Sequence, residues 1–229
     1  MEGLSTPISP LEERESIEQR VARTLRELIV EGQLPAGTPL VQRDLAQQLG
    51  VSPTPVRAGL SQLEREGLVA MTPTGRAIVS RLTREDFEEI YAARLGLEGL
   101  AAFVGAPAVG PQEIAQMKET LALLRRDAAE QDVKAYLEHR WEFHATCYRA
   151  SGRQRLVDEV GRLFWRADRY NRIVLSTAER FRESVGRYKG FLAACEENDG
   201  ARAELIVQES IRWAVTRAAP SLPSETEEP

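Results

Sequence analysis

The sequence is poor in the residues that build metal clusters, disulfide frameworks and most active sites. Its 229 residues include two cysteines, Cys147 and Cys195, and two histidines, His139 and His144. Two cysteines are too few for a disulfide scaffold or a structural zinc cluster, which favours a reducing compartment. The histidines lie five residues apart in one helical stretch, about 500° of rotation, and so do not share a face. One subunit therefore has no three-histidine metal site, and no metal or other cofactor is expected. No serine or cysteine nucleophile stands beside a base, no carboxylates are paired for catalysis, and no glycine loop cradles phosphate, so an enzyme is not expected. The first residues carry no positive segment followed by an apolar one, unlike a signal peptide. No stretch approaches the roughly 18 apolar residues of a membrane helix. The expectation is a cytoplasmic protein with no membrane partner.

What remains is an ordinary globular composition, 42% hydrophobic and 28% charged, in a length that suits one large domain or two small ones. The formal charge of −5 argues at first sight against nucleic acid. The charge is not evenly spread. Residues 34–81 hold five arginines against three acids, a net +2, while residues 1–33 and 82–229 carry the negative excess. The acidic total therefore does not exclude DNA.

Residues 1–13, with Pro7 and Pro10, read as a disordered tail. From Arg14, the apolar positions Ile17, Val21, Leu25, Leu28 and Ile29 recur at helical spacing up to Gly32. Leu34 to Leu40 is a turn-rich link. A short helix with Leu45 and Leu49 on one face stops at Gly50. Ser52 is placed to cap a third helix, with Pro53 and Pro55 in its first turn and Val56, Leu60 and Leu63 as its buried stripe. Leu68–Met71, Thr72–Gly75 and Arg76–Val79 spell strand, turn, strand. Residues 14–80 thus follow the order of a winged helix-turn-helix with a small β-hairpin wing.

In that fold the second helix of the motif enters the major groove. Its outward face carries Thr54, Arg57 and Ser61, at i, i+3 and i+7. Arg57 suits guanine or a phosphate, Ser52 and Thr54 suit phosphates at the helix N-terminus, and Arg43 suits the backbone or a base. Gly75 and Arg76 at the wing tip suit a minor-groove or phosphate contact. Any one arginine alone reads more simply as solvated surface; the set in this order points to double-stranded DNA.

Gly37-Thr38-Pro39-Leu40, Leu45 through Arg57, and Leu63 through Val69 resemble the signature of the GntR family of bacterial transcriptional regulators. The resemblance spans the whole first domain. It departs at Pro53, where members often carry arginine, and at Ala58 and Gly59, where glutamate and alanine are common.

From Thr83 helical periodicity dominates to about Arg217, with breaks near Gly105–Pro111, Ser151–Gly152, Ser176–Thr177 and Asn198–Gly200. Residues 81–218 are expected to form an all-α antiparallel bundle, and 219–229 a second disordered tail. The bundle resembles the FadR-type, or FCD, effector domain through Tyr91–Glu98, Trp141–His144, Ala150–Gly152 and Phe191–Ala194 followed by Asp199. Many members bind a metal through an aspartate, the histidine of Phe-His and two later histidines. Carried over, only His144 survives: the other positions are Arg140, Tyr188 and Ser210. The resemblance implies the fold without the metal.

The residues read by themselves reach the same positions. Arg94 and Glu98 lie within the stripe Phe87, Ile90, Tyr91, Leu97, Ala101. Arg140 and His144 lie within Val133, Tyr136, Leu137, Cys147. Tyr188 and Ser210 occupy the inward faces of two later helices. An inward arginine costs several kcal/mol unless it is paired. Two explanations stand: a buried network that specifies packing, with Arg94 on Glu98 and Arg140 on another carboxylate, or a polar cavity in which Arg94, Arg140, His144, Tyr188 and Ser210 bind an organic anion such as a carboxylate. The arginines of the run Phe164–Tyr170, Arg166 and Arg169, read as mostly a solvated face. The whole reads as a mainly α, ligand-responsive regulator. As a homodimer it would bind a palindromic operator, with the stretch Ser80–Thr83 coupling its two domains. A metal-dependent sensor of the same family and a ligand-free DNA-binding protein with a purely structural bundle are the alternatives.

Overall fold

A computed structural model describes residues 15–224; the first expected tail, residues 1–13, lies outside the described residues, as does 225–229. The chain divides into two compact units, one running to Ser80 and the other starting at Arg81.

In the first unit, α1 (Ile17–Val30) opens with a capping box between Ser16 and Gln19. It is followed by α2 (Gln42–Leu49), α3 (Pro53–Arg65), β1 (Val69–Met71) and β2 (Ala77–Val79). The strands pair antiparallel, Val69 opposite Val79 and Met71 opposite Ala77. Val21, Leu25, Ile29, Val56, Leu60, Leu63, Leu68 and Val79 form the core. A bidentate Arg26–Glu66 pair, at 2.7 and 2.8 Å, ties α1 to the end of α3.

Three local readings change here. The link before α2 is part of the sheet: the Leu40 N–H donates to the Ala77 carbonyl at 2.8 Å, and the Val79 N–H donates to the Thr38 carbonyl at 3.0 Å. Ser52 holds the N-cap position of α3, but its hydroxyl makes no cap bond. The physical reason is that Pro53 and Pro55 carry no N–H, so the N3 donor that a capping serine uses is missing. Gly59 marks a close approach, because a Cβ there would lie 3.0 Å from Val21 Cγ1 and 3.2 Å from the Ala22 nitrogen.

The second unit is helical throughout: α4 (Arg84–Gly105), α5 (Pro111–Glu130), α6 (Val133–Ala150), α7 (Gln154–Arg166), α8 (Asp168–Val174), α9 (Ala178–Glu196) and α10 (Gly200–Ala218). Thr83, Asp132, Thr177 and Asp199 cap α4, α6, α9 and α10 with their side chains. Two breaks were invisible to periodicity. Gln131 ends α5 in the left-handed region at φ 56°, and a bend at Ala167 separates α7 from α8.

Two expectations are corrected. Arg169 is buried, and half-buried Arg166 pairs with Asp86 at 3.3 Å, so the arginines of the run 164–170 are no solvated face. Its bend turns α8 inward, and the Tyr170 hydroxyl donates to Asp86 at 2.8 Å. The second tail does not begin at 219: Ala219–Ser221 form a 3-10 turn, Leu222 is buried, and the Pro223 carbonyl accepts the Arg84 N–H at 2.9 Å. Among the described residues, no helix is long and apolar enough to cross a membrane.

Candidate DNA-reading surface and bundle cavity

The first unit presents its expected contact residues to solvent. Arg43, Ser52, Thr54, Arg57, Gly75 and Arg76 are exposed, and Ser61 is half-buried. Gly50 at φ 66° makes the sharp turn between α2 and α3. Val56, Leu60 and Leu63 face the core, which leaves Thr54 and Arg57 outward. The wing tip is a built turn. Thr72 Oγ1 accepts the Arg76 N–H at 3.0 Å and lies 2.9 Å from Thr74 Oγ1, while Gly75 takes φ 76°. Arg23 pairs with Glu15 and Arg26 with Glu66. Among the described residues Arg43, Arg57 and Arg76 have no such partner, and three unneutralised guanidiniums suit a polyanion. The two prolines that free the Ser52 hydroxyl also remove two backbone donors, so anion binding at this helix end falls to side chains and the Thr54 N–H.

In the second unit Arg140 and His144 from α6, Tyr188 from α9 and Ser210 from α10 line one small cavity, together with Glu98, Ser184, Arg187 and Trp213. Val174, Leu175, Val207, Ile211 and Ala214 complete its wall. The space holds about 20 Å³, and one water needs roughly 10–15 Å³. As it stands it has room for little more than a water unless side chains move.

Arg94 is not in the lining. It is fully buried behind Glu98, with Nε 2.5 Å from Glu98 Oε1 and its guanidinium 4.7 Å from the Tyr91 ring centroid. Burial acts most strongly, to lower its pKa, but the charge and hydrogen bond of Glu98, together with Tyr91 and Tyr148, outweigh it and hold the guanidinium protonated. Arg140 does not find the expected carboxylate. Its Nη1 donates to Asn171 Oδ1 at 3.1 Å, and its guanidinium lies 5.1 Å from the Phe164 centroid. Asn171 Oδ1 also accepts the Tyr91 hydroxyl at 2.8 Å, joining α4, α6 and α8 at one atom.

Several buried polar atoms have no partner among the described residues. They include both Nη atoms of Arg94, His144 Nδ1, the Tyr148 hydroxyl, Asn171 Nδ2 and Arg187 Nε. Orphaned groups of this kind cost about 1–3 kcal/mol each and mark places where water or a ligand belongs. Burial, then the charges of Arg140 and Arg94, hold His144 well below the usual histidine range, so its imidazole is neutral. Asp168 is pushed up to about 6 by burial, against the pull of Arg172 and Arg140.

A metal does not suit this donor set. An arginine, a tyrosine and a serine stand with His144 where carboxylate and imidazole ligands would be needed. Among the described residues no three His, Cys, Asp or Glu side chains gather in a metal-holding group. Sequence reasoning missed Arg187, Ser184 and Trp213 in the lining and Asn171 behind it. Arg187 sits 5.1 Å from the Trp213 centroid, one residue before Tyr188, where the stripe on α9 gives no sign of it.

Comparison with known proteins matches residues 89–212 to the FCD domain and residues 17–79 to the bacterial regulatory proteins of the gntR family. The HTH-type transcriptional regulator McbR of Escherichia coli K12 is 27% identical over 187 residues, 80% of this chain and 84% of that protein. The gluconate operon transcriptional repressor of Bacillus subtilis is 40% identical over 79 residues, 34% of this chain and 32% of that protein. The solved structure of E. coli McbR/YncC superposes with a TM-score of 0.76 at 23% identity, covering 90% of this chain and 98% of that one. A putative GntR regulator from Rhodococcus sp. RHA1 gives 0.73 at 24% identity, covering 89% and 98%. These two structures share the fold.

Proposed function

The chain belongs to the FCD-domain regulators of the gntR family, a family of DNA-binding transcriptional regulators and not of enzymes; on that footing we propose that it binds operator DNA as a homodimer and responds to a small organic acid held in its helical domain without a metal. The DNA side of the reading rests on the unpaired Arg43, Arg57 and Arg76 and on the free Ser52 hydroxyl. Operator affinity then depends on specific contacts and dimerisation more than on bulk charge, given the weak net charge of residues 34–81.

The observation that carries the effector reading is the convergence of Arg140, His144, Tyr188 and Ser210, from three helices, on one small cavity. Arg140 and Arg187 bring two positive charges to it against Glu98, which Arg94 already neutralises. The excess is cationic, so the class of ligand is an anion, and the planar guanidinium of Arg140 suits a carboxylate. The chain of hydroxyls Ser184, Tyr188 and Tyr136, with O–O distances of 3.3 and 3.4 Å, offers further donors.

At about 20 Å³ the space must open to admit such an acid. Its small volume favours the second reading, a ligand-free bundle, and the orphaned polar atoms favour the first. A panel of small mono-, di- and hydroxy-carboxylates decides between them. A rise in melting temperature with one of them, lost in Arg140→Gln, supports the sensor. No rise with any supports the structural bundle.

A further inference from the structure

The wall of the cavity in the helical domain is unevenly held. Most of its lining belongs to the buried core, and the residues that are only half-buried are Arg140, Arg187, Ser210 and Trp213. Ser210 is small, and its hydroxyl donates to the Ile206 carbonyl of its own helix at 2.9 Å. Arg140 is anchored on Asn171. Arg187 and Trp213 lean on each other instead, with the guanidinium 5.1 Å from the indole centroid. The indole donates one hydrogen bond, from Nε1 to Glu183 Oε2 at 2.8 Å, and Glu183 in turn holds Arg217 at 3.0 Å. Among the described residues Arg187 makes no hydrogen bond or ion pair, and its Nε is buried without a partner.

We propose that Arg187 is a second anion-binding arm of this cavity, and that the ligand it selects is a short dicarboxylate. This rests on the effector reading above and names the ligand class. Glu98, the carboxylate in the lining, is neutralised by Arg94. Outside the lining, Glu183 holds Arg217 and Asp168 lies 3.9 Å from Arg172. Arg140 from α6 and Arg187 from α9 are left facing the same space without a counter-ion of their own. A monocarboxylate neutralises one of them and leaves the other desolvated beside it, which is costly. A dianion neutralises both. The cavity is small, so the two carboxylates stand only a few carbons apart.

The Arg187–Trp213 stack is also the part of the wall that moves. Admission of an acid needs a lining residue to shift, and this stack shifts without opening the core. Breaking the single Trp213–Glu183 hydrogen bond frees the indole. Turning Arg187 off the ring exchanges a weak cation–π contact for charge-assisted hydrogen bonds to a carboxylate. The exchange is favourable only where a second carboxylate receives the guanidinium. The movement that admits a dicarboxylate therefore discriminates against the monocarboxylate of the same length.

Calorimetry of the full chain with succinate against butyrate, and glutarate against pentanoate, tests the proposal with pairs matched in carbon number. The wild type binds the dicarboxylate of a pair about tenfold or more tightly. Arg187→Gln removes that preference, Arg187→Lys keeps part of it, and Arg140→Gln weakens both acids of a pair. Tryptophan fluorescence changes as the dicarboxylate binds, because Arg187 leaves the Trp213 ring, and Trp213→Phe abolishes the change although Trp141 and Trp165 remain. Equal binding of both acids of each pair, or a preference that survives Arg187→Gln, overturns the proposal. If Arg187→Gln fails to fold, the wild-type fluorescence decides, and a signal unchanged by bound dicarboxylate overturns it. If a monocarboxylate or hydroxy acid binds while neither dicarboxylate does, this proposal falls and the effector reading stands. If no acid of the wider panel binds, both fall.

Discussion

Arg94 and Glu98 stand one helical turn apart on α4, Nε to Oε1 at 2.5 Å, and together they put a full ion pair inside the helical domain. The pair is inherited by the cavity, because Glu98 lines it and Arg94 stands behind. Removing one partner strands the other. Glu98→Gln is expected to cost about 3–5 kcal/mol, measured by chemical denaturation, since a buried charge loses its counter-charge. Arg94→Met with Glu98→Gln removes both charges and should be less damaging than Glu98→Gln alone.

Among the described residues the guanidiniums of Arg57 and Arg76 make no hydrogen bond or ion pair that holds the fold. Arg57→Ala should weaken operator binding by about 1–3 kcal/mol, and Arg76→Ala should weaken it as well, with the melting temperature unchanged in both. Fluorescence anisotropy on a labelled duplex, with a thermal melt of each variant, separates the two effects. Unchanged DNA affinity removes that arginine from the surface.

Gly59→Ala tests the packing of α3 on α1. Alanine gains about 1 kcal/mol of helix propensity, but its Cβ would press on Val21 and on the backbone of Ala22. The expected outcome is net destabilisation. Gly105→Ala should be worse, because the Cys147 carbonyl occupies the place of its Cβ. A more stable Gly59→Ala protein would show that α1 yields easily.

The pH dependence contains two opposed contributions. Asp168 has its pKa raised in the fold to about 6, so its contribution is present at low pH and is lost as pH rises through about 6. His144 has its pKa depressed, so its contribution is present above about 6.5, the ordinary histidine value, and is lost as pH falls below it. Asp168→Asn is expected to raise stability at pH 7.5, by about 2–3 kcal/mol at most, and to leave it little changed at pH 4. The variant then shows the acid loss due to His144 more steeply than the wild type. Denaturation at the two pH values checks the sign.

The winged helix-turn-helix was legible because each of its elements carries a local signal: Gly50 at a left-handed cap, Leu60 and Leu63 at helical spacing, Gly75 in the hairpin turn. Arg140, His144, Tyr188 and Ser210 were legible for a related reason, since a polar residue inside an apolar stripe is visible in one dimension. Arg187 was not, because it reaches the cavity from the edge of its stripe by the length of its side chain. Asn171 was missed because α8 turns inward only after a bend at Ala167 that no glycine or proline announces. The idle hydroxyl of Ser52 required knowing that Pro55 falls on the donor position a serine cap needs.

The most direct test of the central claim couples the two domains in one measurement. Duplexes selected from a random pool by the wild-type protein supply the operator probe, and its affinity is then measured with and without each acid of the carboxylate panel. An enriched inverted repeat is expected, with at least one acid changing its affinity by about tenfold, within the usual range of allosteric coupling, and Arg140→Gln abolishing that change while binding the DNA normally. Selection of no common sequence, or an affinity that no acid alters, would contradict the account.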